Sequence, residues 1–89
     1  MSLDKNMQKN GIIINRIDIR GEVCPMTFVY TKLALEELPK GSILEVLLDF
    51  PQATTNIPEN CRRQNLAELI EINKINSSHN LWLLRLKKL

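Results

Sequence analysis

With 89 residues the chain has room for one domain with a modest core, and a net charge of +2 does not by itself argue for a nucleic-acid partner. Hydrophobic residues at 44% and charged residues at 25% form the mixture of a folded globular chain, which excludes a disordered one. No uninterrupted apolar run approaches the roughly 18 residues needed to cross a bilayer, and residues 1–10 lack the apolar segment of a signal peptide, so no membrane association and a cytoplasmic location are expected.

Residues 1–10 are polar and aperiodic and read as a flexible tail, leaving residues 11–89 as the domain. Residues 11–19 carry Ile12, Ile13, Ile14 and Ile17, the β-branched content of a first strand. Arg20-Gly21-Glu22 breaks it, and Cys24-Pro25 opens a helix, proline suiting the first helical position because its missing N–H has no intrahelical partner there. Residues 26–38 hold no glycine, and at about 100° per residue their apolar side chains fall into two stripes. Phe28, Ala34, Leu35 and Leu38 share one side with Thr31, and Met26, Val29, Tyr30 and Leu33 form the other. One stripe is expected to face a sheet; the second must meet a neighbouring helix, a partner or solvent, and is read first as a second core contact. Pro39-Lys40-Gly41 stops the helix.

Residues 42–49 are almost continuously apolar apart from Glu45, which suits a strand in the middle of a sheet. Asp49-Phe50-Pro51-Gln52 is a loop. Thr54 or Thr55 is expected to cap a second helix running to about Gln64, with Pro58 in its first turn. Residues 66–75 read as a third strand, residues 76–80 as a turn that exposes His79, and residues 81–87 as a fourth strand with Trp82, Leu84 and Leu86 on one face. The order β-α-β-α-β-β gives an α+β fold: a two-layer α/β sandwich with a mixed four-stranded sheet and both helices on one face.

Two cysteines, Cys24 and Cys61, in a chain without a leader fit a reducing compartment better than a disulfide scaffold. With one histidine besides, they cannot fill the four-ligand set of a structural zinc site, so neither metal nor other cofactor is expected. Cys24 stands where unpaired helix N–H groups and the helix dipole favour an anion, and cysteines so placed can titrate below the free value of about 8.5. Arg20 adds positive charge if the loop folds back, and Glu22 opposes it. Such a thiol can attack a sulfane sulfur, hold it as a persulfide and surrender it. A small buried cysteine at a helix start fits the same spacing. Cys61 likewise reads either as a packing residue of the second helix or as a second thiol. Arg62-Arg63 and Lys87-Lys88 read as solvated charge runs.

The run Ile17-Asp18-Ile19-Arg20-Gly21-Glu22-Val23-Cys24-Pro25-Met26-Thr27 resembles the D-x-R-G-x-x-C-P-x-P signature of the TusA/SirA-like sulfur carriers. The resemblance continues through Pro39-Lys40-Gly41, Leu44-Glu45-Val46 and the stretch from Asp49 to Pro58, covering residues 16–86. It implies a two-layer α/β sandwich in which Cys24 carries persulfide sulfur received from a cysteine desulfurase or a rhodanese-type protein and relays it to a downstream acceptor. It also implies that Gly21 and Pro25 shape the loop and helix start, and that Asp18 and Arg20 support them. Two departures stand out. Thr27 replaces the family's second proline, leaving a hydroxyl near the thiol and restoring an N–H. Asp49-Phe50 stands in place of the acidic pair after the second strand, so the resemblance makes Asp49 and Phe50 candidate partner contacts, and Phe50 bears on partner choice. Cys61 falls near a second cysteine seen in some carriers. Nucleic acid is not expected to bind directly. Two other readings compete: a non-catalytic RNA- or protein-binding module, and a dithiol redox protein using Cys24 and Cys61.

Overall fold

A computed structural model describes residues 3–5, 14–76 and 80–89. Its elements are β1 (Leu3–Lys5), β2 (Ile14–Asp18), α1 (Met26–Glu36), β3 (Ile43–Leu48), α2 (Ala53–Arg63), β4 (Ala67–Asn76) and β5 (Leu81–Lys88). They build one mixed sheet in the order β1-β2-β3-β5-β4. The four expected strands and both helices are present. The reading of residues 1–10 as a loose tail is corrected in part, because Leu3–Lys5 pairs antiparallel with β2 as a short edge strand. The rest of that segment lies outside the described residues, as do residues 11–13 of the expected first strand and His79 in the hairpin turn.

The period of two along each strand sorts the side chains into a core face and an open face. Ile17 opposes Val46, which opposes Leu84, and Leu44 opposes Leu86; all five are buried under the helices. Ala34, Leu35 and Leu38 from α1, and Ala53, Ile57 and Cys61 from α2, close the core from above. Each fully buried aliphatic side chain is worth about 1.5–3 kcal/mol over leaving it in water.

On the open face the same register lines up Arg16, Glu45, Arg85 and Glu71 across β2, β3, β5 and β4. The charges alternate and every neighbouring pair is bonded. Arg16 donates Nε and Nη2 to Glu45 Oε1 at 3.0 and 2.7 Å. Arg85 donates Nε and Nη2 to Glu45 Oε2 at 3.2 and 2.8 Å, and Nη1 to Glu71 Oε1 at 2.8 Å. This explains the lone charge in β3: Glu45 is shielded by two guanidinium groups.

β2 and β3 are parallel, and β3 and β4 both run antiparallel to β5. Each helix therefore returns along the sheet in the same direction, and α1 and α2 lie parallel. Two contacts with the same residue offset mark their register: Asn56 against Cys24 near the helix starts, and Lys32 Nζ against Gln64 Oε1 at 3.2 Å toward the far ends.

Three local expectations are corrected. Pro25 takes the boundary position before Met26, and its peptide bond with Cys24 is cis. α2 starts at Ala53 after Gln52, so Thr54 and Thr55 lie inside the helix, Thr54 Oγ1 donating back to Pro51 O at 2.7 Å. Pro58 then falls in the second turn, where Thr54 O loses the N–H that a helix would supply. The second stripe of α1 is a core contact only at Tyr30, which packs half-buried against the core; Met26 and Val29 are each 38% exposed and Leu33 49%. α2 meets α1 where Lys32 reaches Gln64, and among the described residues Met26, Val29 and Leu33 stay exposed.

Candidate functional site at the start of two helices

The segment from Asp18 to Pro25 is tied down at nearly every residue. Ile19 N–H continues the β2–β3 ladder to Leu47 O at 2.8 Å, and Glu22 N–H closes a turn onto Ile19 O at 3.1 Å. Gly21 occupies that turn at φ +88°, a conformation glycine adopts without strain. Its N–H donates to Asp49 Oδ1 at 2.9 Å, fastening the loop to the segment after β3. Asp49, expected as a partner contact, thus has a structural task. Phe50 beside it lies half-buried against the core.

Arg20 does not bring its charge to the thiol. Its guanidinium forks onto Asp18 at 2.9 Å (Nε to Oδ1) and 2.6 Å (Nη2 to Oδ2), and its backbone N–H joins at 3.1 Å. The side-chain hydrogen bonds from Arg20 hold the Asp18 carboxyl below its ordinary value. Asp18 and Arg20 therefore brace the turn, and Glu22 contributes its backbone N–H to it.

Thr27 is fully buried. Its N–H donates to Val23 O at 3.2 Å, a bond that proline at this position cannot make. Its Oγ1 has no hydrogen-bond partner among the described residues. Phe28 and Val29 N–H groups both turn to Pro25 O at 3.1 Å.

Cys24 is half-buried, and Asn56 Nδ2 donates to its Sγ at 3.2 Å. Asn56 is fixed within α2: its N–H donates to Gln52 O at 3.0 Å, and its carbonyl accepts Asn60 Nδ2 at 2.9 Å. Because the helices are parallel, the positive ends of both dipoles lie on the Cys24 side of the molecule. Val23, next to the thiol in the chain, is 55% exposed, and Met26, Val29 and Leu33 follow on α1 at spacings of three and four residues. A half-open thiol thus lies two residues before a helix that carries an exposed apolar row.

Asn56 has no assigned task in the sequence reading, although it lies in the quoted stretch from Asp49 to Pro58. The signal lay in the topology. Helices that follow two parallel strands start at the same end of the sheet, so polar residues early in the second can reach the loop before the first.

Cys61 is fully buried in the core face of α2, and burial pushes its thiol up to about 11. The structure does not present it beside Cys24 as an accessible thiol. Lys88, expected in a solvated basic run, instead donates Nζ to Leu35 O at 2.8 Å near the C-terminal end of α1. Among the described residues no three His, Cys, Asp or Glu side chains gather as a metal-ligand set, and no helix is long and apolar enough to cross a membrane.

Comparison with known proteins covers nearly the whole chain. The family model described as "Sulfurtransferase TusA" matches residues 15–88. A protein of Archaeoglobus fulgidus named "Putative sulfur carrier protein" is 34% identical over 89 residues, covering 99% of this chain and 98% of its own. A protein of the same name from Thermotoga maritima is 37% identical over 75 residues, covering 84% and 91%. The "Putative sulfur carrier protein YedF" of Escherichia coli is 43% identical over 61 residues, covering 68% and 79%. A crystal structure of a SirA-like protein from Desulfitobacterium hafniense superposes with a TM-score of 0.69 at 24% identity, covering 83% of this chain and 95% of that one, which supports the same fold.

Proposed function

The chain belongs to the TusA sulfurtransferase family, and on that premise we propose that Cys24 accepts a sulfane sulfur as a persulfide and relays it to an acceptor protein. The carrying observation is the placement of Cys24: half-open, hydrogen-bonded by Asn56, and directly before a helix whose Met26, Val29 and Leu33 are exposed. In the loading step the Cys24 thiolate attacks the outer sulfur of a donor persulfide. The donor's S–S bond breaks, the donor leaves as a thiolate, and Cys24 holds an S–SH group. In delivery an acceptor thiolate attacks that outer sulfur, and the Cys24 thiolate is the leaving group. No bound cofactor enters either step.

The donor in this reading is a cysteine desulfurase or a rhodanese-type protein in the cytoplasm, docking on the apolar strip of α1. Exposed apolar side chains in a row are what a transient protein partner covers, and a partner docked there lies on the helix that Cys24 precedes. The dithiol reading loses ground to the burial of Cys61, because a resolving thiol must reach the mixed disulfide.

The test is intact mass spectrometry after incubation with a cysteine desulfurase plus cysteine, or with polysulfide. Wild-type protein is expected to gain one sulfur atom, reversibly with reductant, and Cys24→Ala to gain none. A gain that survives Cys24→Ala and vanishes in Cys61→Ala would move the site to α2. No gain with any donor would sink persulfide carriage and leave a binding module as the better reading.

A further inference from the structure

We propose that Asn56 is a positioning residue that holds the Cys24 sulfur in its anionic form and makes it a better leaving group when sulfur is delivered; the delivery half of this rests on the function proposed above. The geometry carries it. The amide of Asn56 reaches Sγ across the seam between the helices at 3.2 Å, from a backbone fixed at both its N–H and its carbonyl. A hydrogen bond donated to sulfur strengthens when the sulfur is charged, so it favours thiolate over thiol. In the loaded protein the inner sulfur is neutral and the donor gains little. When the acceptor attacks the outer sulfur, charge returns to the inner atom as the S–S bond breaks, and the Asn56 N–H faces it as it forms.

The charged groups near this end of the molecule leave the task to an amide. On the loop, Arg20 is bound to Asp18, and Glu22 lies half-buried two residues before the thiol. On the segment after β3, Asp49 Oδ1 is engaged with Gly21 N–H. α1 has no acidic residue in its first turn, and its nearest cation, Lys32, turns to Gln64. On α2, Glu59, Arg62 and Arg63 are exposed, and the residue that meets Cys24 is uncharged.

The experiment follows iodoacetamide alkylation of Cys24 across pH in the full chain, for wild type, Asn56→Ala and Asn56→Asp, each checked for folding by thermal melting. Alkylation requires no sulfur donor, so it reads Asn56 whether or not the protein carries sulfur. Alkylation of Asn56→Ala is expected to be several-fold slower than that of wild type, and that of Asn56→Asp slower still, since a carboxylate of the same shape repels the thiolate. If Asn56→Ala fails to fold, the uncharged, near-isosteric Asn56→Leu replaces it, since the charge of Asn56→Asp slows alkylation by itself. In protein loaded with polysulfide, release of sulfur to a small thiol is expected to slow in both variants. Alkylation rates of Asn56→Ala that match wild type across the pH range overturn the role in holding the anion, even if the melting temperatures fall. Slowed alkylation with unchanged sulfur release overturns the role in delivery. Failure of wild type to load sulfur, with alkylation of the variants still slowed, would refute the proposed function and the delivery role while leaving the hold on the anion intact.

Discussion

Glu45→Gln tests the charge row on the open face of the sheet. The Glu45 side chain is only 3% exposed, while those of Arg16 and Arg85 are 45% and 36% exposed. Glutamine keeps the shape but removes the anion, and its amide nitrogen must then face one of the two guanidinium groups. Breaking a fully buried ion pair costs about 3–5 kcal/mol. Here both arginines are partly hydrated and Arg85 keeps Glu71, so the loss should be about 1–3 kcal/mol. For a domain of this size that lowers Tm by roughly 5–15 °C. Urea unfolding at neutral pH measures the difference directly. The pH dependence supplies a second reading. Burial pushes the Glu45 carboxyl up, but the hydrogen bonds from Arg16 and Arg85 outweigh it and hold it below its ordinary value of 4.5. A depressed carboxylate adds stability that is fully present above the unfolded value and is lost as pH falls through the folded one. Wild type should therefore lose stability more steeply than Glu45→Gln as pH falls below about 4.5. A variant within about 0.5 kcal/mol of wild type, with a parallel pH profile, would refute the reasoning.

Gly21→Ala should cost about 1 kcal/mol in urea unfolding from the φ of +88° alone, because the added Cβ meets nothing within 4 Å. Cys61→Ala should cost about 1–2 kcal/mol from the cavity it leaves, with sulfur loading unchanged by mass spectrometry. In native protein at neutral pH, Cys61 should resist iodoacetamide and become labelled only in denaturant, which peptide mapping reads. Leu33→Glu should leave stability within about 0.5 kcal/mol, since the side chain is half-exposed. It should slow loading from a protein donor by about tenfold while leaving polysulfide loading intact; equal slowing with both donors would argue against docking on α1.

The strands were legible because their composition is strong. β3 is nearly all aliphatic, and β5 alternates so cleanly that Trp82, Leu84 and Leu86 fall on the core face as expected. β1 was not legible: three residues, Leu-Asp-Lys, carry no strand pattern, and only the edge of β2 gives their backbone partners. The start of α2 was misplaced because threonine is a good cap, yet Thr54 here uses its hydroxyl to bond Pro51 O from within the helix. The two stripes of α1 were both visible, but periodicity cannot say which of two apolar faces meets a neighbour. That depended on the side from which α2 approaches.

The candidate site divides along the same line. Cys24, Gly21 and the Asp18–Arg20 brace lie within a few residues of one another, so local spacing was enough to group them. Asn56 and Asp49 reach the same loop from more than twenty residues away, and what brings them there is the parallel pairing of β2 with β3. That pairing fixes one end of the sheet as the place where both helices begin. It explains why a thiol at the start of one helix finds its hydrogen-bond donor in the opening turns of the next. Moving Asn56 by one position along α2 would rotate its amide by about 100° and take the donor out of reach. The chemistry of Cys24 is therefore a property of the crossover as much as of the Cys-Pro sequence that announces it.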